Sequence, residues 1–171
     1  MSMLSPDHEL LRVATLALSV NGPDGAPHTA PVYFAALPAE PSASGPVGNL
    51  PACPWNLAFF SSPDSLHARC LAADPRAAAA IYPETPAWEA IRGLQLHGRV
   101  RSLAPFAPGP SSHSGEAERS AAWLAYQSKF PFVADLQALI ARSSLHIFTP
   151  IWIRLIDNRQ GFGFRQEQQY V

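Results

Sequence analysis

The chain has 171 residues, of which 47% are hydrophobic and only 15% charged, so it is long enough for one domain with its own core and unlike a disordered chain. The formal net charge of −1 argues against a broad nucleic-acid-binding surface. Because it has two cysteines, no apolar run of roughly 20 residues and no signal-peptide pattern, we expect one cytoplasmic domain over residues 1–171, without nucleic-acid or membrane partners.

The first third of the chain predicts three short strands. Apolar and polar residues alternate in Ala14–Val20 and again in His28–Leu37, and the turn residues of Asn21–Gly25 join these strands into a hairpin. A short helix that ends near Val13 precedes the hairpin. Asn56–Phe60 is a short apolar run typical of a buried strand.

The remainder of the chain predicts three more strands and three helices. Ser62 is suited to cap a helix that ends before Pro75, because a side-chain oxygen can accept a hydrogen bond from a free amide of the first turn. The elements expected after this helix are strands Arg76–Tyr82, Gly93–Leu103 and Leu145–Ile156 and helices Glu116–Phe130 and Phe132–Arg142.

Two segments rich in proline, serine and glycine, Pro38–Trp55 and Pro105–Glu116, predict loops within the domain. Each is flanked by strand-like segments that are too short to fold alone. Six mostly sequential strands with three or four short helices favour a mainly β, α+β protein, built as an antiparallel barrel with peripheral helices.

A run of hydroxyl side chains lies where the third strand is expected to enter a helix. It contains Ser61, Ser62 and Ser65, with His67 and Arg69 close behind. Free amides and the helix dipole make such a helix start attractive to an anion, and hydroxyl and guanidinium groups are good phosphate donors. The pattern therefore indicates a phosphate site, although an ordinary capped helix with Arg69 in solvent would show the same residues.

Other motifs that carry chemistry are absent. The histidines and cysteines have no zinc-ligand spacing, and no nucleophile elbow, P-loop or dinucleotide fingerprint occurs. Cys70 follows His67 by three residues, but a cysteine on the apolar face of a helix is more typical of packing. The polar side of the predicted strand Gly93–Leu103 could line a ligand cleft, but exposure to water is the simpler interpretation. Its residues are Gln95, His97, Arg99 and Arg101. The sequence thus gives no support for a metal site, and it does not identify a catalytic residue.

Four segments, in this order, resemble the FMN-binding split β-barrels, the superfamily of pyridoxamine 5′-phosphate oxidase. They are Pro27–Phe34, Leu57–Arg69, Asp74–Ala77 and Ile91–Gly98. Lys129–Phe132 and Asp157–Gly163 are similar to the small bacterial branch called YhbP-like. The resemblance implies a six-stranded antiparallel split barrel that forms a homodimer and binds FMN in a groove between the subunits.

The resemblance also implies which residues contact the cofactor. Those expected near the flavin ring are Pro31, Val32 and Tyr33. Those expected at the phosphate are Ser61, Ser65 and His67, with Arg69 beside them and Ser62 in the same run of hydroxyls.

The chain departs from the family pattern at three points. It has no arginine near Ala30, it has Leu66 and His67 where the oxidases carry a basic pair, and it lacks their C-terminal Arg-x-His signature. These departures argue against oxidation of pyridoxamine phosphate and leave the strength of FMN binding open.

Two functions of different classes therefore follow. One is an FMN-dependent oxidoreductase acting on a small, unidentified substrate. The alternative is a non-catalytic protein on the same dimeric barrel that binds haem, another flavin-like ligand or a small metabolite; a dimer that has lost its ligand is a third reading.

Overall fold

The computed structural model describes residues 8–39, 50–105 and 115–171. Its eight strands belong to one antiparallel sheet and are β1 (Thr15–Asn21), β2 (Pro27–Tyr33), β3 (Ala35–Pro38), β4 (Trp55–Ser61), β5 (Arg76–Ile81), β6 (Arg92–Leu103), β7 (Ser144–Asp157) and β8 (Arg165–Gln169). The α-helices are α1 (Leu66–Ala73), α2 (Glu116–Lys129) and α3 (Gln137–Ala141). Four 3₁₀ turns complete the described part: Glu9–Arg12, Trp88–Ala90, Pro131–Leu136 and Asn158–Gln160.

The connection between β2 and β3 makes the sheet curl into a barrel. The strands are hydrogen-bonded in the order β2-β1-β5-β6-β7-β4-β3, with β8 added to β7. The first and last strands of that order are separated in the chain by Phe34 alone, so the two edges of the sheet must lie close together. Phe34 is fully buried. The predicted class, a mainly antiparallel β protein with helices at its periphery, is confirmed.

Strand alternation fills the barrel interior. On β6 the side chains of Leu94, Leu96 and Val100 are buried while those between them are exposed, as the sequence predicts. The pairing of β6 with β7 shifts register after His97, where the next residue is Gly98. A Cβ atom at Gly98 would collide with the carbonyl oxygen of Thr149, so the close approach of the two strands requires glycine here.

A second apolar cluster lies outside the barrel, under α2. Ala122, Tyr126 and Phe130 of this helical segment are buried against residues of three strands, which are Ala35, Leu37, Ala58, Leu145 and Ile147. No helix in the described part of the chain is long and apolar enough to cross a membrane.

Several predicted elements differ from the structure. There are eight strands rather than six, because the predicted strand His28–Leu37 is broken at Phe34 and because β8 was not predicted. Phe34 points into the core, and its N–H donates to the Ala14 carbonyl oxygen at 3.4 Å, at the next position of the β1–β2 pairing. From Ala35 onwards the chain pairs with β4 instead. Four of the five residues of β8 are exposed and all are polar, so β8 has no apolar alternation.

Two of the predicted helices differ in type from the observed elements. The predicted N-terminal helix is, in the described residues, the 3₁₀ turn Glu9–Arg12. The predicted helix Phe132–Arg142 is a 3₁₀ turn followed by the short α3. The central parts of the two predicted loops, residues 40–49 and 106–114, lie outside the described residues.

Lys129 links three parts of the fold beside the β2–β3 junction. Its ammonium donates to the carbonyl oxygens of Leu11, at 2.9 Å, and Phe34, at 2.8 Å. The same nitrogen lies 3.6 Å from the centre of the Phe34 ring. Burial lowers the pKa of Lys129 to about 8. The C-terminus of α2 is thereby tied to the N-terminal turn and to the junction that closes the barrel.

We expect Lys129→Met to lower the free energy of unfolding by about 2–3 kcal/mol, because it leaves two carbonyl oxygens without their charged donor while keeping most of the apolar stem. The neighbouring exposed Ser128→Met is the control and should change stability by less than about 0.5 kcal/mol. Urea unfolding measures both; equal stability of the two variants would contradict this role of Lys129.

Candidate functional site

The end of β4 and the N-terminus of α1 position most of the predicted binding residues. β4 ends at Ser61, and after a short turn α1 begins at Leu66. Ser65, not Ser62, is the N-cap: its Oγ accepts a hydrogen bond from the Ala68 N–H at 3.3 Å. The sequence predicted Ser62 as the N-cap, three residues before the observed one, because Ser62-Pro63 is a dipeptide typical of a helix start. The remaining free amides of the first helical turn and the positive end of the helix dipole therefore lie directly after Ser65.

Ser61 is hydrogen-bonded to a buried histidine. The Oγ of Ser61 lies 3.0 Å from Nε2 of His146 in β7, and Nδ1 of His146 lies 2.7 Å from Oγ of Ser102 in β6. The imidazole is 1% exposed and stacks on the Phe59 ring with centroids 4.8 Å apart. Burial lowers the pKa of His146 to about 4, so this ring is neutral near pH 7.

Ser65 has a similar partner in His67. The Oγ of Ser65 is 3.2 Å from Nε2 of His67, whose half-buried ring lies 6.4 Å from that of Phe59. Burial lowers the pKa of His67, and the nearby His28 lowers it further. The Phe59 ring thus stacks on His146 and lies near His67, so the two serine–histidine pairs are neighbours. Both imidazoles have little tendency to become cationic.

Ser62 and Arg69 lie on the exposed side of this turn. The Oγ of Ser62 accepts from the Asp64 N–H at 3.2 Å. Ser62 precedes the helix and therefore does not lie on it. Arg69 follows Ser65 by one helical turn, is exposed, and has no side-chain partner within the described ranges. Its guanidinium is thus the cation at this end of α1 that remains available to an anion.

Pro31, Val32 and Tyr33 lie on β2, at the far edge of the sheet order. Val32 is buried in the barrel, so it can offer only its backbone to a ligand outside. Pro31 and Tyr33 are exposed, with 52% of Tyr33 accessible. The Tyr33 ring packs edge-on against Phe130, at 5.2 Å between centroids, and against Phe132, at 5.9 Å.

Tyr126 connects the two groups of predicted residues. Its hydroxyl donates to the Tyr33 carbonyl oxygen at 2.5 Å, and its ring meets that of Phe60 edge-on at 5.0 Å. Burial raises the pKa of Tyr126, so its hydroxyl keeps its proton. The end of β2 and the end of β4, where Ser61 follows Phe60, therefore lie on two sides of one helix residue.

Sequence reasoning missed three residues that contact this region: Ser102, Tyr126 and His146. The signal for His146 was weak, because every residue from Ser144 to Phe148 is buried and the strand shows no alternation there. Cys70 is buried in the core, as its packing interpretation predicted. Within residues 8–39, 50–105 and 115–171, no three His, Cys, Asp or Glu side chains are grouped as a metal site would require.

The chain was compared with known proteins. No family model and no curated protein matches it. A heme-binding protein from Mycobacterium smegmatis is 19% identical with a TM-score of 0.62, covering 99% of this chain and 60% of that one. A protein from Clostridium acetobutylicum related to general stress protein 26, of the pyridoxinephosphate oxidase family, is 12% identical with a TM-score of 0.56, covering 94% and 89%. An FAD-binding protein from Mesorhizobium loti is 15% identical with a TM-score of 0.58, covering 90% and 92%.

At these identities the likeness concerns the fold. The chain has the split β-barrel fold that the sequence predicted, and this fold is shared by proteins whose names include flavin and heme binders. The similarity to the YhbP-like branch stays a prediction.

The buried His146 should make stability depend on acid pH. An unfolded chain protonates this imidazole below its ordinary pKa of 6.5, whereas the folded protein does so only near pH 4. Unfolding therefore takes up a proton between these values, and the free energy of unfolding should fall by roughly 3 kcal/mol as the pH drops through this window. Glutamine does not titrate, so the free energy of unfolding of His146→Gln should not contain this contribution over the same pH range. Parallel pH slopes for the two proteins in urea unfolding would contradict the prediction.

Proposed function

We propose that this protein binds flavin mononucleotide and acts as an FMN-dependent oxidoreductase on a small substrate. The observation that carries the proposal is that the Ser61 and Ser65 hydroxyls, the amides of the α1 N-terminus and the exposed guanidinium of Arg69 all lie along the β4–α1 turn and the first turns of α1. All of these groups donate hydrogen bonds, and Arg69 adds a positive charge, which is the donor set that a phosphate monoester requires. Ser62 and His67 lie beside the same turn.

The flavin ring would lie towards β2. There the backbone of Pro31–Tyr33 offers polar groups, and the aromatic side chain of Tyr33 offers an exposed apolar surface. The bound flavin supplies the redox chemistry, while the protein holds the cofactor and shapes the cleft. Among the described residues of this cleft we assign no catalytic acid or base.

Haem binding at this site is the weaker alternative. A histidine ligand needs a free nitrogen that reaches the iron, but His146 is buried and both of its nitrogens face serine hydroxyls. Nε2 of His67 is likewise hydrogen-bonded to Ser65. The donor set at the end of β4 therefore suits a phosphate better than a haem iron.

The proposal includes a homodimer, which the resemblance implies and which exposed apolar side chains support. Several of these surround α2 and α3: Leu124, Phe132, Leu136 and Leu139, with Tyr33 against Phe132. Contiguous exposed apolar groups are typical of interaction surfaces.

Light scattering at micromolar concentration should accordingly give about twice the chain mass of 18.5 kDa. Leu139→Glu, which introduces a charge at a side chain that is 63% exposed, should shift the protein towards the monomer without unfolding it. A wild-type monomer at these concentrations would contradict the dimer and remove the partner's half of the cleft.

Arg69→Ala tests the phosphate site. If the guanidinium contacts the phosphate directly, its loss should weaken FMN binding about ten- to hundredfold, since a hydrogen bond to a charged group contributes roughly 1.5–3 kcal/mol. Riboflavin has no phosphate, so its affinity should be unchanged. Titration followed by flavin fluorescence measures both ligands, and the distant exposed Arg165→Ala is the matched control.

The outcomes separate the alternatives. Equal losses for FMN and riboflavin would mean that the substitution disturbs α1 rather than a phosphate contact. Absence of FMN binding by the wild type would reject the proposed function, and a Soret band on titration with hemin would then favour the haem alternative.

A further inference from the structure

His146 has more contacts than a core histidine needs. Its neutral ring has one N–H and one lone pair, and the structure provides a hydroxyl partner for each nitrogen: Ser61 at Nε2 and Ser102 at Nδ1. The Phe59 ring, stacked at an interplanar angle of 16°, fixes the plane of the imidazole. The three polar side chains form one chain of hydrogen bonds that begins on β6, crosses β7 and ends on β4.

The direction of this hydrogen-bond chain determines what Ser61 can bind. With the proton on Nε2, His146 donates to Ser61, and the hydroxyl proton of Ser61 is free to point away from the histidine. With the proton on Nδ1, Nε2 accepts the Ser61 proton, and Ser61 presents only oxygen lone pairs, which repel an anion. An anion next to Ser61 is therefore compatible with the first tautomer alone.

We propose that His146 is a positioning residue that turns the Ser61 hydroxyl outward, so that Ser61 donates to a phosphate monoester, with Ser102 donating in turn to Nδ1. The inference rests on the phosphate site proposed above and names the residue that orients the Ser61 hydroxyl of this site. His146 does not touch the ligand. It acts through Ser61, and it adds an oriented dipole rather than a charge.

The arrangement explains how a site poor in cations can recognise a phosphate. His67 lies where the oxidases that this chain resembles carry a basic residue, and burial disfavours the charged form of His67. Arg69 then supplies the charge, and Ser61 supplies a donor whose orientation is set before the ligand arrives. The result is discrimination between a flavin with a phosphate and one without, expressed as the ratio of FMN to riboflavin affinity.

Two substitutions at His146 separate its two nitrogens. The amide nitrogen of glutamine reaches about as far from the backbone as Nε2, whereas that of asparagine reaches about as far as Nδ1. His146→Gln should therefore keep the donor to Ser61 and most of the affinity ratio. His146→Asn should lose the donor to Ser61. The ratio of FMN to riboflavin affinity should then fall roughly tenfold, while riboflavin binding is unchanged. Ser102→Ala should lower the ratio in the same direction.

Ser61→Ala distinguishes failure of this inference from failure of the phosphate site. If Ser61→Ala lowers the FMN-to-riboflavin ratio and His146→Asn does not, His146 is a packing residue and the inference is wrong, although the phosphate site stands. If neither Ser61→Ala nor Arg69→Ala changes the ratio, the phosphate site is wrong and the inference fails with it.

A measurement on the unmodified protein covers the case in which His146→Asn does not fold. In protein labelled with ¹⁵N at histidine, the His146 signals are identified by their absence from His146→Gln. The ring should carry its proton on Nε2 both before and after addition of inorganic phosphate. A ring that carries its proton on Nδ1 in the presence of phosphate would overturn the proposal.

Discussion

The β2–β3 junction, which consists of Phe34 alone, is the constraint on which the shape of the barrel and the position of the candidate site depend. Because β2 and β3 lie at opposite ends of the strand order yet are joined by a single residue, the sheet has to close around the side chains of its inner face. Closure creates an interior in which large apolar side chains such as Trp55 and Phe59 are completely buried. It also brings the end of β2 to the end of β4, where α2 covers both through Tyr126. The position of the candidate site is therefore a consequence of how the barrel closes.

The electrostatic character of the site follows from its burial. A histidine in a dry environment is easier to keep neutral than charged, and both His67 and His146 have lowered pKa values for this reason. They bind hydroxyls rather than anions, and Arg69 remains the cation exposed at the start of α1. Recognition of a phosphate here would depend on the directions of hydroxyl and amide donors together with the charge of Arg69.

The sequence predicted most of the barrel because most strands have one face in the core and one in water. β1 and β6 alternate for this reason, and their boundaries fall within a residue or two of the observed ones. The break at Phe34 was not predictable from alternation, because it is a change of partner strand, from β1 to β4, and these strands are far apart in the chain. β8 was missed because its stability comes from pairing with β7 rather than from apolar side chains.

The candidate site was predicted in part for the same kind of reason. The hydroxyls of the β4–α1 turn are contiguous in sequence, so their composition was visible, but the choice of Ser65 over Ser62 as N-cap depends on backbone geometry. His146 and Ser102 come from strands far along the chain and meet Ser61 only in the folded sheet. A buried polar network of this kind costs stability when its histidine must be protonated, and an apolar side chain would pack there without that cost. The cost has a physical explanation if the orientation of Ser61 matters to what the protein binds.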